Sequence, residues 1–157
     1  MTRFDQARWL VLLVPGGLLA GAYISQYGFG LYPCEMCWWQ RYAHFAALPF
    51  ALLAFGMPNK RWPVALAALA VLASGVIGAY HAGVEYKWWE GFTTCSSLVN
   101  LKTASDPLAA VLAAPTIRCD TAQWTLFGVS LAGFNFFFST AGALLALTLL
   151  RPAGRAA

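Results

Sequence analysis

The sequence is poor in charge. Only 10% of its 157 residues are Asp, Glu, Lys or Arg, whereas about 25% are charged in an ordinary soluble domain. Four stretches hold no charged residue, namely 9–34, 42–59, 62–84 and 121–150, and each is close to or above the roughly 20 residues that a membrane-spanning helix needs. This scarcity excludes an ordinary soluble domain. It also means that the net charge of +4 is no sign of nucleic-acid binding.

The charge-free stretches predict an all-α membrane protein, a bundle of four transmembrane helices forming one domain over 1–157. The predicted helices run at about 9–27, 38–56, 63–83 and 124–149. Two outer loops are predicted to join them, at about 28–36 and 84–123. In the second loop, 107–112 is predicted to form a short amphipathic helix lying on the membrane.

The basic residues predict the orientation in the membrane. Six of them fall on one side of the predicted bundle: Arg3, Arg8, Lys60, Arg61, Arg151 and Arg155. The positive-inside rule makes that side cytoplasmic, so both termini are expected inside. The first apolar run also has features of a cleavable signal peptide. We expect it to be retained, because it continues past the possible cleavage site through Tyr23 and Ile24.

Cysteine is scarce, and all four cysteines fall on the predicted outer side: Cys34, Cys37, Cys95 and Cys119. An even number on the oxidising side favours disulfides over metal thiolates. The Cys34-x-x-Cys37 pair alone fits a redox pair, half of a zinc site or a structural disulfide. Joining Cys95 to Cys119 would close a loop of about 24 residues, worth roughly 3 kcal/mol in chain entropy. Composition leaves open whether that pair is a structural staple or an exchangeable disulfide.

A few polar side chains stand inside the apolar stretches. Arg41 lies four residues after Cys37, so the two share a helix face, and a nearby cation favours a thiolate. His81, near the outer end of the third helix, is predicted either to bond interfacial water or a carbonyl, or to donate to a polar headgroup. His44 is interpreted as a packing or locally hydrogen-bonded residue. Asn135 is expected to face the bundle and to bond another helix.

Small residues mark the expected helix contacts. In the first helix, Pro15-Gly16-Gly17 and Gly21 are interpreted as packing residues, and the alternative is a kink that shapes a cavity. In the third helix, the stripe Ser74-x-x-x-Gly78-x-x-x-Ala82 predicts close packing against a neighbour.

Several motifs together resemble one family. They are Cys34-x-x-Cys37-x-x-x-Arg41, Tyr80-His81-x-Gly83-Val84-Glu85 with Trp88-Trp89, Cys95, and Cys119-Asp120-x-x-Gln123-Trp124. On these residues the chain resembles, over nearly its whole length, the bacterial disulfide-bond-formation protein B (DsbB) family. Its members are membrane quinone reductases that reoxidise the periplasmic dithiol oxidase DsbA. One departure is Gln40, where some relatives have an acid.

The resemblance implies a protein-dithiol:quinone oxidoreductase of the bacterial inner membrane, with its cysteines on the periplasmic side. A DsbA-like thioredoxin-fold partner would attack Cys95, and the released Cys119 would attack Cys34. Cys37 would be left as a thiolate against a membrane quinone, either ubiquinone or menaquinone. Arg41 would stabilise that thiolate and the charge that reaches the quinone.

The resemblance also implies that His81 bonds a quinone carbonyl, and no metal is expected. Two rival functions remain. One is a membrane metal-binding or transport protein with Cys34, Cys37 and the outer histidine as ligands, which is weakened by a shortage of intramembrane carboxylates. The other is a structural membrane subunit with two inert disulfides. A vitamin K epoxide reductase-like enzyme is disfavoured, because the Cys-x-x-Cys pair here opens the second helix.

Overall fold

The structure, a computed structural model, describes residues 1–57, 60–91, 96–97, 106 and 116–151. It contains the helices α1 (Arg3–Phe29), α2 (Glu35–Gly56), α3 (Trp62–Glu85) and α4 (Leu131–Leu150). Two short antiparallel pairs accompany them: β1 (Ser96–Ser97) with β2 (Thr116–Ile117), and β3 (Thr125–Leu126) with β4 (Val129–Ser130). The predicted helical class is confirmed. The amphipathic helix predicted at 107–112 lies outside the described residues.

Helix α1 begins earlier than predicted because polar residues cap it. The Thr2 hydroxyl accepts a hydrogen bond from the Asp5 backbone N–H at 3.1 Å, and the Asp5 carboxylate accepts one from the Thr2 N–H. This reciprocal capping box satisfies two N–H groups that a helix start leaves open. At the other end Gly30, with φ of 69°, provides the left-handed residue that often closes a helix.

Two further predicted helix starts are wrong. Helix α2 begins at Glu35, not 38, because the Cys34 sulfur caps it by accepting from the Cys37 N–H at 3.3 Å. Helix α4 begins at Leu131, not 124, because the β3–β4 hairpin precedes it. The hairpin turn uses positive φ at both central residues, 51° at Phe127 and 78° at Gly128, as a tight primed turn requires.

Helix α3 is central and packs extensively against both α2 and α4, while α1 packs mainly against α4 and α2. The close approach of α3 to α4 depends on glycine. A Cβ on Gly78 would lie 2.9 Å from Nδ2 of Asn135, and one on Gly75 would lie 2.7 Å from Oγ1 of Thr140. Ser74 is fully buried in the same contact. The predicted small-residue stripe is therefore a packing surface.

Three arginines tie helices together at the end of the bundle opposite the cysteines. Arg8 donates to the Phe55 carbonyl at 3.1 Å, and Arg61 donates to the Leu150 carbonyl at 3.0 Å. Arg3 likewise donates to a carbonyl near the end of α4. Helices α1 and α3 thus begin where α2 and α4 end, so the basic residues gather at one end.

The outer surface of the bundle is apolar. Helices α1, α3 and α4 are each long and apolar enough to cross a membrane. Large apolar side chains are exposed along them: Leu13, Ile24, Leu66, Leu69, Val76, Phe137, Phe138, Leu144 and Leu145. Such a surface suits lipid rather than water, and the chain is a multi-pass membrane protein.

Candidate active site

The Cys-x-x-Cys pair is built into the start of α2. Cys34 is the N-cap residue, only 2% exposed, and Cys37 lies in the first turn. The Cys34 thiol donates to the Cys37 sulfur, with the two sulfur atoms 3.0 Å apart. A disulfide has a sulfur–sulfur distance of about 2.05 Å, so the pair can close with a small movement. The helix N-terminus also favours negative charge on these sulfurs.

A third cysteine lies against this pair. The Cys119 thiol is hydrogen-bonded to Cys34, and both pack with Met36, Val84 and Ile117. The Cys119 thiol, then the Cys37 thiol and burial, raise the pKa of Cys34 above its usual range. The structure therefore brings together three of the four predicted site cysteines.

The fourth, Cys95, lies outside the described residues. The residue that follows it, Ser96, pairs with Ile117, two positions before Cys119.

Salt bridges hold the segment around Cys119 onto the end of α3. Lys87 donates to the Asp120 carboxylate at 2.7 Å, and Arg118 donates to both of its oxygens at 2.6 and 2.7 Å. These cations, Arg118 first and then Lys87, hold the pKa of Asp120 well below its usual range. Gln123 adds a hydrogen bond to the Tyr32 carbonyl at 2.7 Å, which joins this segment to the loop before Cys34.

The motif at the end of α3 makes room for a tryptophan. Trp89 folds back over the helix, stacks on Tyr80 at 5.8 Å and donates to the Tyr80 carbonyl at 3.0 Å. A Cβ on Gly83 would lie 2.0 Å from the Trp89 ring. Only glycine fits at that position, which explains the spacing of Tyr80, Gly83 and Trp89.

His81 lies beside the sulfurs and is 2% exposed. Its Nε2 is 3.5 Å from the Cys34 sulfur and 3.8 Å from Oε1 of Glu85, and the ring is hydrogen-bonded to the Cys119 backbone. Oε2 of Glu85 is buried without a hydrogen-bond partner among the described residues. Ligand atoms of Cys34, Cys37 and His81 lie within 4.8 Å of one another. This geometry supports the metal-binding rival more than the sequence alone does.

Arg41 is buried, with 6% exposure, and extends towards α1. It donates to Oε1 of Gln26 at 2.6 Å and to the Ala22 carbonyl at 3.1 Å. Its guanidinium lies over the rings of Tyr23 and Trp38, at 4.8 and 5.1 Å. Its described hydrogen bonds therefore reach α1 and not the Cys37 sulfur. Three of its five N–H groups have no hydrogen-bond partner among the described residues.

A cavity of about 240 Å³ adjoins these groups. Its walls include Cys37, Arg41 and His81, and apolar surface covers most of the rest. Gly17 and Gly21 line it on the α1 side, and a Cβ on either would meet no atom within 4 Å. The packing interpretation of these two glycines is therefore wrong, because they leave open space at the cavity.

A buried polar network lies beneath the cavity. Asn135 on α4 donates to Oε1 of Gln40 on α2 at 2.7 Å, which confirms that it faces the bundle and bonds another helix. His44 bonds Oδ1 of Asn135 at 2.8 Å, as expected of a hydrogen-bonded core residue. Gln40 and Glu85 stand in or beside the sequence motifs, but the motifs gave neither residue a role in the site. The one available signal for Glu85 was its place four residues after His81, on the same helix face.

Comparison with known proteins agrees with this geometry. The family model described as disulfide bond formation protein DsbB matches residues 4–149. A disulfide bond formation protein B of Acidovorax sp. (strain JS42) is 31% identical, with 89% of this chain and 88% of that protein covered. A protein of the same name from Verminephrobacter eiseniae (strain EF01-2) is 32% identical, with 90% of this chain and 84% of that protein covered.

A third protein of this name, from Azoarcus sp. (strain BH72), is 33% identical, with 85% of this chain and 83% of the relative covered. No solved structure matches the chain significantly. The family match spans all four helices and the segment that carries the four cysteines. The chain belongs to the disulfide bond formation protein DsbB family.

Proposed function

We propose that the protein is a quinone-linked thiol oxidase of the bacterial inner membrane. It reoxidises a periplasmic DsbA-like thioredoxin-fold protein and passes the electrons to a membrane quinone. The observation that carries the proposal is that Cys34, Cys37, Cys119 and His81 meet beside a cavity that also holds the buried cation of Arg41.

The proposal treats 1–157 as one membrane domain with four spans, in which α2 crosses the membrane in addition to α1, α3 and α4. Helix α2 packs between α1 and α3 and, with 22 residues, is long enough to span a membrane, although it holds the charged residues Glu35 and Arg41. The arginine end of the bundle would be cytoplasmic, with both termini inside. The cysteine end would then face the periplasm, where the partner protein is found.

The proposed relay uses the cysteines in sequence. The partner's thiolate attacks Cys95 and forms a mixed disulfide, while the Cys95–Cys119 bond breaks and releases the Cys119 thiolate. Cys119 attacks Cys34, the Cys34–Cys37 bond breaks, and Cys37 takes the negative charge. The contact between the Cys119 and Cys34 thiols supports this middle step, because attack needs the two sulfurs side by side.

The residues around the cavity fit a quinone head. About 240 Å³ is just below the 300–1,000 Å³ typical of ligand pockets, a size suited to a ring with its long tail in the lipid. A bound quinone would accept two electrons and two protons. Arg41 would donate its uncommitted N–H groups to a ring oxygen and attract the developing negative charge. His81, which also lines the cavity, would supply a second donor.

The test is anaerobic quinone reduction by the purified protein in detergent, driven by a reduced thioredoxin-fold protein. Wild type should convert quinone to hydroquinone in proportion to the dithiol consumed. Cys34→Ser should form a mixed disulfide with the partner but reduce no quinone. Consumption of dithiol without hydroquinone in the wild type would overturn the proposal.

The metal-binding rival is favoured by one observation, the grouping of Cys34, Cys37 and His81. It requires zinc to remain bound stoichiometrically in the purified, reduced protein. Metal analysis of that protein separates the two functions.

A further inference from the structure

Two buried amide side chains link α4 to the sulfurs through His81. Nδ2 of Asn135 lies 2.7 Å from Oε1 of Gln40, and Nε2 of Gln40 lies 2.9 Å from Nδ1 of His81. All three side chains are nearly inaccessible to solvent, with exposures of 9%, 6% and 2%. These hydrogen bonds are therefore shielded from bulk solvent, although all three side chains also line the cavity.

The direction of the chain is fixed by two backbone carbonyls. Nε2 of Gln40 also lies 3.1 Å from the Met36 carbonyl oxygen, and Nδ2 of Asn135 lies 3.0 Å from the Ser74 carbonyl oxygen. A carbonyl oxygen only accepts hydrogen bonds. Turning either amide over would place oxygen against oxygen in a buried site, which is costly. Each amide must therefore present its NH₂ group where it does.

We infer that Gln40 is a positioning residue that holds His81 as the tautomer protonated on Nε2. Because Gln40 donates to Nδ1, that nitrogen must carry the lone pair, and the proton of the neutral ring is on Nε2. Nε2 is the atom 3.5 Å from the Cys34 sulfur. His81 thus presents an N–H donor, and not a lone pair, to the group formed by the Cys34 sulfur, Oε1 of Glu85 and the Cys119 backbone.

This orientation has a chemical consequence that rests on the proposed relay. When Cys119 and Cys37 exchange at Cys34, negative charge passes between sulfurs within reach of the ring. A donor favours the thiolate form, whereas a lone pair would favour the thiol. The same donor opposes metal binding, since a histidine ligand needs an unprotonated nitrogen towards the metal. Gln40 therefore biases the cluster towards thiol exchange and against zinc.

The test is the ¹⁵N NMR spectrum of the histidine-labelled full chain in detergent, which distinguishes protonated from unprotonated ring nitrogens. The sequence has two histidines, His44 and His81. His44 is the internal control: its Nε2 lies 2.8 Å from Oδ1 of Asn135, which can only accept, so it is protonated on Nε2 as well. His81 should give the Nε2–H signature in the wild type. An Nδ1–H signature for His81 overturns the inference, whatever the enzyme's activity.

Variants test the role of Gln40 itself. Gln40→Met removes the donor with little change of volume, so the Nδ1–H form of His81 should appear while the His44 signals stay. Thiol exchange at Cys34, measured by trapping and mass spectrometry, should slow by about tenfold. That factor corresponds to the loss of one hydrogen bond to a charged group. The control Ser139→Ala removes a donor to Asn135, 2.9 Å away, and leaves the Gln40–His81 bond intact.

Ser139→Ala should leave the His81 tautomer and the exchange rate unchanged. An unchanged His81 tautomer in Gln40→Met, or equal slowing in both variants, shows that Gln40 has no positioning role. If Gln40→Met does not fold, the wild-type spectrum still decides the His81 tautomer, and Gln40→Asn, whose shorter side chain cannot keep the bond to Nδ1, tests the role of Gln40 by the same two measurements. A failed quinone assay with the Nε2–H signature present would reject the proposed function and leave the tautomer assignment standing.

Discussion

Replacing Arg41 by lysine separates a redox role from a purely structural one. The guanidinium bonds Gln26 and the Ala22 carbonyl through two different nitrogens, at 2.6 and 3.1 Å. A lysine has one nitrogen and no planar fork, so it cannot reach both partners and also donate to a quinone oxygen. A hydrogen bond to a charged group contributes about 1.5–3 kcal/mol. Because 1.4 kcal/mol is tenfold, the apparent KM for quinone should rise by about tenfold or more.

The matched control is Arg8→Lys at the other end of the bundle. Arg8 also bonds two partners, Asp5 at 3.2 Å and the Phe55 carbonyl at 3.1 Å, and lies 4.5 Å from the Phe55 ring. Arg8→Lys should lower thermal stability about as much as Arg41→Lys does, but it should leave the dependence of turnover on quinone concentration unchanged. The assay is steady-state turnover against quinone concentration, with thermal unfolding of each variant. An unchanged KM in Arg41→Lys would show that Arg41 only joins α2 to α1 and does not contact the quinone.

The remaining predictions concern the relay, the cavity and the Cys119 segment. Cys95→Ser should form no mixed disulfide with the partner yet still exchange electrons with quinone, and Cys37→Ser should do the reverse, as gel trapping and quinone absorbance would report. Gly21→Leu should fill open cavity space and raise the KM for quinone, whereas Gly16→Leu, away from the cavity lining, should not. Asp120→Asn should lower thermal stability by an amount that is constant from neutral pH down to about pH 4. Below that the difference should shrink, because Asp120 is protonated in the unfolded chain while it stays ionised in the folded chain, where its pKa is depressed. The stabilisation is lost completely once the pH falls below the folded-state pKa.

The helices were predictable because a membrane span needs length and an absence of charge, and both can be counted in the sequence. The start of α4 was not. An apolar run continues from 121 to 150, but Phe127 adopts a positive φ that aromatic residues rarely take, and this turn interrupts the helix. Ser130, which caps α4 by accepting from the Gly133 N–H at 3.1 Å, was the available signal.

The candidate site was predictable where its residues are neighbours in sequence. The Cys34–Cys37 pair is local, and the sequence placed it at the junction of the first outer loop and the second helix, although the helix begins three residues earlier than predicted. The contact of Gln40 with His81 joins residues 41 positions apart, and that with Asn135 joins residues 95 apart. Such contacts depend on how α2, α3 and α4 pack, and no local pattern encodes them. The burial of Arg41 against α1 has the same origin.

The central claim is that electrons pass from the protein's own cysteines to a quinone, and one single-turnover measurement tests it. The protein is reduced under anaerobic conditions, freed of reductant and mixed with excess quinone without any partner. In the proposed relay the four cysteines form two pairs, so wild type should yield two hydroquinones per chain. The Cys95→Ser variant keeps three cysteines and therefore one pair, so it should yield one. Quinone that stays oxidised in the presence of fully reduced wild-type protein would contradict the account.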